Sequence, residues 1–268
     1  MNEHTPSDGT VGKALSLLDK VAAYERPVRF SELLAESDLP KATLYRLLQT
    51  LVSQRMLTSD ARSQGYALGP RLIRLAHAAW RRASLAPVAR SHLDALSALS
   101  GETIHLAQLD NAQVLYVDKR NATRPIPMFS DAGKIGPAYC TGIGKAILAF
   151  LDDDSRERAI AQQSFYRHTP QSLTDAVSLR RELEAVRLSG FAYDREEHES
   201  QIICIATPIL DARGRPLGGV SITSSTTRTS LDALGGFRDN LRATAAAIAR
   251  DYAVFSLLDV GNEEGEIT

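Results

Sequence analysis

Apolar residues recur at the spacing of an amphipathic helix twice within the first 52 residues, once before Pro27 and once after Pro40. The first stripe lies in residues 12–25 and stops before Pro27, a residue that a helix interior does not tolerate. Ser31 follows as a candidate N-cap for a second, short helix, and Pro40 suits the first turn of a third. The pattern therefore predicts three short helices in close succession.

The third predicted helix has a polar and basic face opposite its apolar stripe, and residues 39–59 contain no Asp or Glu. Two short apolar segments, 56–58 and 65–68, then flank a polar tip that carries Arg62, which is the pattern of a β-hairpin. Three helices and a hairpin predict a winged helix-turn-helix over residues 10–70, whose free helix fits the major groove of DNA. A plain three-helix core with a solvated polar face is the alternative. The residues expected to contact DNA are Ser31, Lys41, Thr43, Tyr45, Arg46, Thr50 and Arg62.

Residues 71–100 are helical in pattern and form a predicted linker. Trp80 lies on an apolar side of its first part, and Leu96 lies on a stripe of its second part, which begins near Pro87. This much apolar surface packs either on its own domain or on a second subunit. We expect a homodimer, in which two winged helices lie about one DNA turn apart and match a palindromic operator.

Strand-like segments and helical stripes continue over residues 101–256. Two hairpins are predicted, one turning at Asn111 and the other at residues 211–214. Antiparallel strands with helices gathered on one side indicate an α+β sensor domain of the PAS or GAF type. The acidic residues 257–268 are expected to form a disordered tail.

Charge is distributed unevenly along a chain of otherwise ordinary globular composition. Of the 268 residues, 44% are apolar and 24% are charged, and the formal net charge is −1. Residues 10–82 carry twelve Lys and Arg against six Asp and Glu, whereas residues 83–268 carry nineteen against twenty-four. This asymmetry favours a polyanion-binding module joined to a domain with another task.

Cysteine usage and hydropathy predict the compartment. Cys140 and Cys204 are too few for a disulfide framework, and no apolar run approaches the ~20 residues that span a bilayer. Residues 1–10 lack the charged and apolar regions of a secretory signal. We therefore expect a cytoplasmic protein without a membrane partner.

A glycine-rich entry to an apolar helix, from Gly142 to Lys145, is the first candidate for a small-molecule site. It fails as a phosphate loop, because that motif needs Gly and Ser or Thr where Tyr139 and Ala146 stand. A helix that begins at Thr141 would still offer free N–H groups to a small carboxylate. A tight turn without a ligand is the alternative.

Hydroxyl groups and a carboxylate are expected near this helix entry. Ser221 and Thr223 are two apart on a predicted strand and therefore share a face, and Asp194 ends a short strand. This set suits a small organic acid that carries hydroxyl or oxo groups, although simple cross-strand pairing would also explain the two hydroxyls. The expected effector-binding residues are Gly142, Ile143, Asp194, Cys204, Ser221 and Thr223.

The same region also contains residue types that are typical of nucleophilic catalysis and of zinc binding. Cys140 with His198 would form a thiol–imidazole pair, with Asp194 or Glu197 orienting the base. No nucleophile-elbow motif accompanies that pair. Zinc would bind Cys140, Cys204 and two further side chains, Asp194 and His198, but the spacing of strong zinc sites is missing. The favoured interpretation is that the chain is not an enzyme and needs no cofactor, with zinc left open.

Three segments in this order make the chain resemble the IclR family of bacterial transcriptional regulators. They are residues 39–48 in the third helix, 139–146 at the glycine-rich entry, and 190–198 continuing to 204–208. The resemblance covers about residues 10–256. It implies an N-terminal winged helix-turn-helix, a linker helix and a C-terminal GAF-like effector-binding domain.

The resemblance also implies a function. Members of the family bind palindromic promoter DNA as dimers or dimer pairs and respond to small organic acids or aromatic metabolites. The chain is thus expected to be a ligand-responsive transcriptional regulator, a homodimer or dimer of dimers, and the six effector-binding residues match the family's effector-contacting positions. Gln201 and the pair Ser224–Ser225 depart from the usual Gly and Gly-Pro near the pocket. Whether it represses or activates, and which acid it senses, stay open.

Overall fold

A computed structural model describes residues 9–60, 65–83 and 85–263 of the chain. The chain divides into two compact units, Met1–Ala83 and Ser84–Thr268. Within the described ranges, no helix combines the length and the apolar character that crossing a bilayer requires.

The described part of the first unit is a winged helix-turn-helix, as predicted. Its elements are α1 (Thr10–Ala22), β1 (Val28–Arg29), α2 (Phe30–Ala35), α3 (Lys41–Ser53), β2 (Leu57–Asp60), β3 (Gly65–Leu68) and α4 (Pro70–Ala83). The strands form an antiparallel sheet in the order β1–β3–β2. The tip of the β2–β3 hairpin, which includes Arg62, lies outside the described residues.

A leucine-rich core holds these helices together. Its buried members are Leu17, Leu18, Val21, Val28, Leu33, Leu44, Leu47, Leu48, Leu51, Leu57 and Tyr66. On α1 and α3 they fall three and four residues apart, so each helix buries the stripe that its periodicity predicted. Burying each such side chain contributes about 2 kcal/mol, and the opposite face of α3 is left to the solvent.

The start of α2 differs from the sequence prediction. Arg29 is the N-cap, and Ser31 lies within the helix. The carboxylate of Glu32 accepts the Arg29 N–H at 2.9 Å and the Arg26 guanidinium at 2.5 Å. An acidic side chain in the first turn therefore satisfies the free amide, and no serine cap is needed. Pro40 similarly lies one position before α3, at its N-cap.

The second unit is an α+β domain, which confirms the predicted fold class. Its described elements are α5 (Ala86–Ser100), β4 (Thr103–Asp110), β5 (Gln113–Arg120), β6 (Ile135–Pro137), α6 (Gly142–Leu148), α7 (Asp153–Ala161), α8 (Ala176–Ser189), β7 (Ala192–Arg195), β8 (Ile202–Leu210), β9 (Pro216–Ser225), α9 (Leu231–Gly235) and α10 (Arg238–Glu263). The strands form an antiparallel sheet in the order β6–β5–β4–β9–β8–β7. Both predicted hairpins are present as β4–β5 and β8–β9.

Helices cover both faces of this sheet, not one as the sequence pattern indicated. Ala192 and Ala206 share a buried cluster with residues of α6 and α8. Helices α5 and α10 contact each other and the central strands, whose alternate residues Ile104, Ile205 and Ile222 are fully buried. An amphipathic stripe shows that a helix has a buried side, but not which face of a sheet it covers.

The linker and the C-terminal end also differ from the expected boundaries. Helix α4 belongs to the first unit and α5 to the second, so residues 71–100 do not form a segment of their own. Helix α10 continues through Glu263, and the expectation of a disordered tail is wrong for residues 257–263. The last five residues of the sequence lie outside the described part.

Candidate functional site

The solvent-facing side of α3 is the candidate DNA interface. The exposed residues on this side are Lys41, Ala42, Tyr45, Arg46, Gln49, Thr50 and Ser53. Thr43 is half-buried at the edge of the face. The structure thus exposes four of the five α3 residues expected to contact DNA and adds Gln49 near the centre of the face.

Neighbouring aromatic rings orient two of these side chains. The Tyr45 ring meets Phe30 of α2 edge to face, with ring centroids 6.1 Å apart. The Gln49 side chain lies close to the hydroxyl of Tyr66 on β3. Gln49 is therefore near the wing, and a glutamine amide can read the edge of adenine in the major groove.

Other expected DNA contacts are placed differently. The hydroxyl of Thr50 donates to the Arg46 carbonyl at 2.9 Å, so it is engaged within its own helix. Ser31 is exposed in the first turn of α2, outside the candidate interface on α3. Arg46 is exposed on the candidate interface, at the edge nearest α1, where it also lines a cleft with Val11 and Leu15.

All six residues expected to bind an effector line one small cavity in the second unit. The cavity has a volume of about 30 Å³, which is room for one or two water molecules. Its remaining lining residues are His105, Tyr116, Ser130, Thr141, His198, Glu199 and Ile202. The structure therefore brings together residues that are up to 118 positions apart in sequence.

Close packing explains the glycine-rich entry to α6. A Cβ atom on Gly142 would lie 2.4 Å from the Sγ of Cys204, and one on Gly144 would lie 2.5 Å from the backbone of Ala138. The two glycines are thus required because the start of α6 lies directly against β8 and the segment before it.

Burial sets the chemistry of the cavity's thiol and carboxyl groups. It raises the pKa of Cys204 to about 12, and that of the nearby Cys140 thiol also to about 12, so neither is a thiolate at neutral pH. Burial and the negative charge of Glu197 raise the pKa of Asp194 to about 7. One Asp194 oxygen accepts the N–H of Glu197 at 2.7 Å.

A fully buried lysine next to the cavity was missed by the sequence interpretation. Lys145 of α6 has no exposed side-chain surface and places its Nζ 2.5 Å from Glu197 and 3.3 Å from Glu182. Arg195 contacts the same Glu182 carboxylate at 2.7 Å. A single lysine inside an otherwise apolar helix was the available signal, because a buried cation requires a carboxylate partner.

His105 of β4 was also missed. Its Nε2 lies 2.8 Å from the Ser130 hydroxyl, and its Nδ1 lies 3.2 Å from Thr223 and 3.4 Å from Ser221. Burial lowers the pKa of His105 to about 3, so the ring is neutral at neutral pH. Its position two residues before the buried Ala107 in an alternating strand was the available signal.

Three of the residues that were candidates for zinc binding or nucleophilic chemistry line the cavity, namely Asp194, His198 and Cys204. The His198 ring meets the rings of Phe129 and His168 edge to face, with centroid distances of 5.3 and 4.8 Å. Across the described ranges, no group of three or more His, Cys, Asp and Glu side chains has the arrangement of a metal site.

The two units match two family models. The IclR helix-turn-helix domain matches residues 10–61, and the C-terminal model of the bacterial transcriptional regulator IclR matches residues 77–250. Fold and site thus define a helix-turn-helix transcriptional regulator with a ligand-binding C-terminal domain. The chain belongs to the IclR family of bacterial transcriptional regulators.

Similar proteins are known from several bacteria. KdgR of Escherichia coli (strain K12) is 30% identical over 249 residues, 93% of this chain and 94% of that protein. The crystal structure of the Thermotoga maritima IclR has a TM-score of 0.76 and 30% identity, covering 90% of this chain and 97% of that one. An IclR homologue from Microbacterium hydrocarbonoxydans, complexed with 4-hydroxybenzoate, shares the fold (TM-score 0.79, 21% identity, 92% and 100% covered). The similar proteins are regulators rather than enzymes, which confirms that expectation.

Gly142→Ala should destabilise the protein by about 1–3 kcal/mol, because the added methyl group overlaps the Cys204 sulfur. In the double variant with Cys204→Ala, we expect a smaller loss than the sum of the two single losses. Urea unfolding of the four proteins measures this coupling. Additive losses would show that the sulfur contact is not the reason for the glycine.

Lys145→Met should lower the free energy of unfolding by about 3–5 kcal/mol, because it leaves the Glu197 carboxylate buried without its cation. Adding Glu197→Gln should restore a large part of the loss. The control is Arg187→Ala, which removes an exposed cation 3.9 Å from Asp153 and should change stability by less than about 0.5 kcal/mol. Equal effects at positions 145 and 187 would contradict the role of the buried pair.

Proposed function

We propose that the protein is a homodimeric regulator that binds a palindromic operator through α3. The binding of a small organic acid changes its affinity for this operator. The observation that carries the DNA-binding part is the exposed face of α3. It presents Lys41, Tyr45, Arg46 and Gln49, and no carboxylate interrupts it. Cations on such a face gain affinity by releasing phosphate counterions, while amide and guanidinium groups read base edges.

Exposed apolar residues on α4 support the dimer. Ile73 and Leu75 are 73% and 51% exposed, which is unusual for large aliphatic side chains in the middle of a helix. A second copy of α4 would cover them. A two-fold axis there would present two α3 helices to successive major grooves about 34 Å apart, and we infer action on DNA in the cytoplasm.

The cavity supports the sensing part of the proposal. The hydroxyl groups of Ser221 and Thr223 suit the oxygens of a carboxylate, as do the N–H groups of Gly142 and Ile143. Asp194 suits a ligand hydroxyl. The 4-hydroxybenzoate complex of the Microbacterium homologue supports an acid of this kind. Since a ligand site normally encloses several hundred Å³, the effector has to widen the cavity, and that rearrangement provides the means of response.

Arg46→Ala should weaken binding to a DNA fragment, selected from genomic fragments with the wild-type protein, by roughly 5- to 100-fold, because it removes a contact on the groove-facing side. Arg213→Ala, which removes the same charge from an exposed turn between β8 and β9, is the control and should bind normally. Gel-shift titrations at several salt concentrations measure both. Unchanged affinity of Arg46→Ala, or selected fragments without a palindrome, would contradict the assigned interface.

Binding of an organic acid should weaken as the pH rises from about 6 to about 8. The pKa of Asp194 is raised to about 7, so its carboxyl group is mostly neutral at the lower pH and mostly charged at the higher one. The charged form repels the ligand carboxylate. By calorimetry with 4-hydroxybenzoate and lactate, we expect Kd to increase roughly five- to tenfold.

The matched control for this pH dependence is Asp194→Asn, which keeps the shape of the side chain but does not titrate. Its Kd should stay constant over the same range. A wild-type Kd that does not change with pH, or an equal change in Asp194→Asn, would place the ligand carboxylate away from Asp194.

A further inference from the structure

The fourteen residues 121–134 connect β5 to β6 without forming a helix or a strand. We call this segment the cavity loop. Connections of this length without regular structure are uncommon in compact domains and are usually functional lids or binding loops. Ser130 is buried, and it is the cavity loop's contribution to the lining of the effector cavity.

A few specific contacts hold the cavity loop against the cavity. The Phe129 N–H donates to both carboxylate oxygens of Glu199, at 2.9 and 3.0 Å. The Phe129 ring meets His198 edge to face at 5.3 Å. The Ser130 carbonyl accepts Lys119 Nζ at 2.7 Å. Both Glu199 and His198 line the cavity, so these contacts hold the loop at its edge.

Inside the cavity, the hydroxyl group of Ser130 is hydrogen-bonded to the ring of His105. The neutral imidazole has one nitrogen that donates and one that accepts a hydrogen bond. Nδ1 faces the hydroxyls of Thr223 and Ser221, which belong to the sheet, and Nε2 faces the hydroxyl of Ser130, which belongs to the loop. The ring therefore forms hydrogen bonds both with the sheet and with the irregular cavity loop.

The volume of the cavity limits the size of the ligand that it can enclose. About 30 Å³ is too small to enclose an organic acid, so enclosing the effector requires at least one lining group to move. The walls formed by α6 and the sheet are closely packed, as the contact between Gly142 and Cys204 shows. The Ser130 hydroxyl is the lining group that comes from the loop, and its removal frees the Nε2 of His105.

We propose that His105 is an effector-recognition residue and that Ser130 occupies the position on its Nε2 that an oxygen of the effector takes. This inference rests on the proposed sensing function and specifies its ligand class. The effector is a small acid with a second oxygen, a hydroxyl or carbonyl group, that replaces Ser130 on the ring while the cavity loop moves away.

Ser130→Ala tests the competition directly. Removing the competing hydroxyl should tighten the binding of 4-hydroxybenzoate and lactate roughly fivefold, the value of one ordinary hydrogen bond. Thr123→Ala removes an exposed hydroxyl from the same loop and should leave Kd unchanged. Benzoate and propionate, which lack the second oxygen, should bind at least tenfold more weakly than their hydroxylated counterparts.

A double-mutant cycle assigns the effect to His105. His105→Asn should weaken binding at least tenfold, and adding Ser130→Ala to it should give no further gain, because the competed ring is gone. Thermal unfolding of each variant checks that the fold is retained. A Ser130→Ala gain that persists in the His105→Asn background would overturn the role of His105.

Hydrogen exchange gives a readout that does not depend on the ligand. Amides of residues 121–134 should exchange faster in Ser130→Ala than in the wild type or Thr123→Ala, and faster in the wild type when 4-hydroxybenzoate is bound. Unchanged exchange in Ser130→Ala, or weaker ligand binding by it, overturns the competition while leaving the sensing function intact. If neither wild type nor Ser130→Ala binds any of the four acids, the sensing function itself is overturned.

Discussion

The buried ion pair between Lys145 and Glu197 is the interaction on which the arrangement of the sensing domain depends. With Glu182, these side chains connect α6, the turn after β7, and α8. A buried charge that loses its partner costs several kcal/mol, so the pair tolerates little relative movement of the three elements. The same turn donates the Glu197 N–H to Asp194 and thereby places the cavity's carboxyl group.

This rigidity is confined to one side of the cavity. The start of α6 lies against β8 so closely that glycine is needed at position 142. Another part of the lining comes from the cavity loop. Its two ends are hydrogen-bonded to residues of β4 and β5 and to Gly101, whereas its middle is held by a few hydrogen bonds and one ring contact. Segments held by few contacts open at low free-energy cost, so a ligand that enters displaces the loop rather than the helix. A cavity this small is consistent with a sensor that responds by changing shape.

The DNA-binding unit was predictable in most of its detail because its signals are local. Each helix carries its own apolar stripe, and the face left over on α3 follows from a period of 3.6 residues. The prediction was less accurate where a short sequence motif allowed two different ways of capping a helix. Ser31 looked like a cap, but Glu32 reached back to the Arg29 amide instead. In the sensing domain, helical stripes could not show that α5 and α10 cover one face of the sheet and α6 and α8 the other.

Local patterns in the sequence thus determined the order of elements and the polar, carboxylate-free face of the candidate DNA-reading helix. Motif resemblance, together with strand periodicity, identified six residues that the fold does bring to one cavity. Only the tertiary structure decided that Lys145 and His105 belong beside them, that Ser130 reaches the ring of His105, and that the cavity is small. The reason is that side-chain pairing over long sequence separations, and the volume left between packed elements, depend on distances that no periodicity encodes.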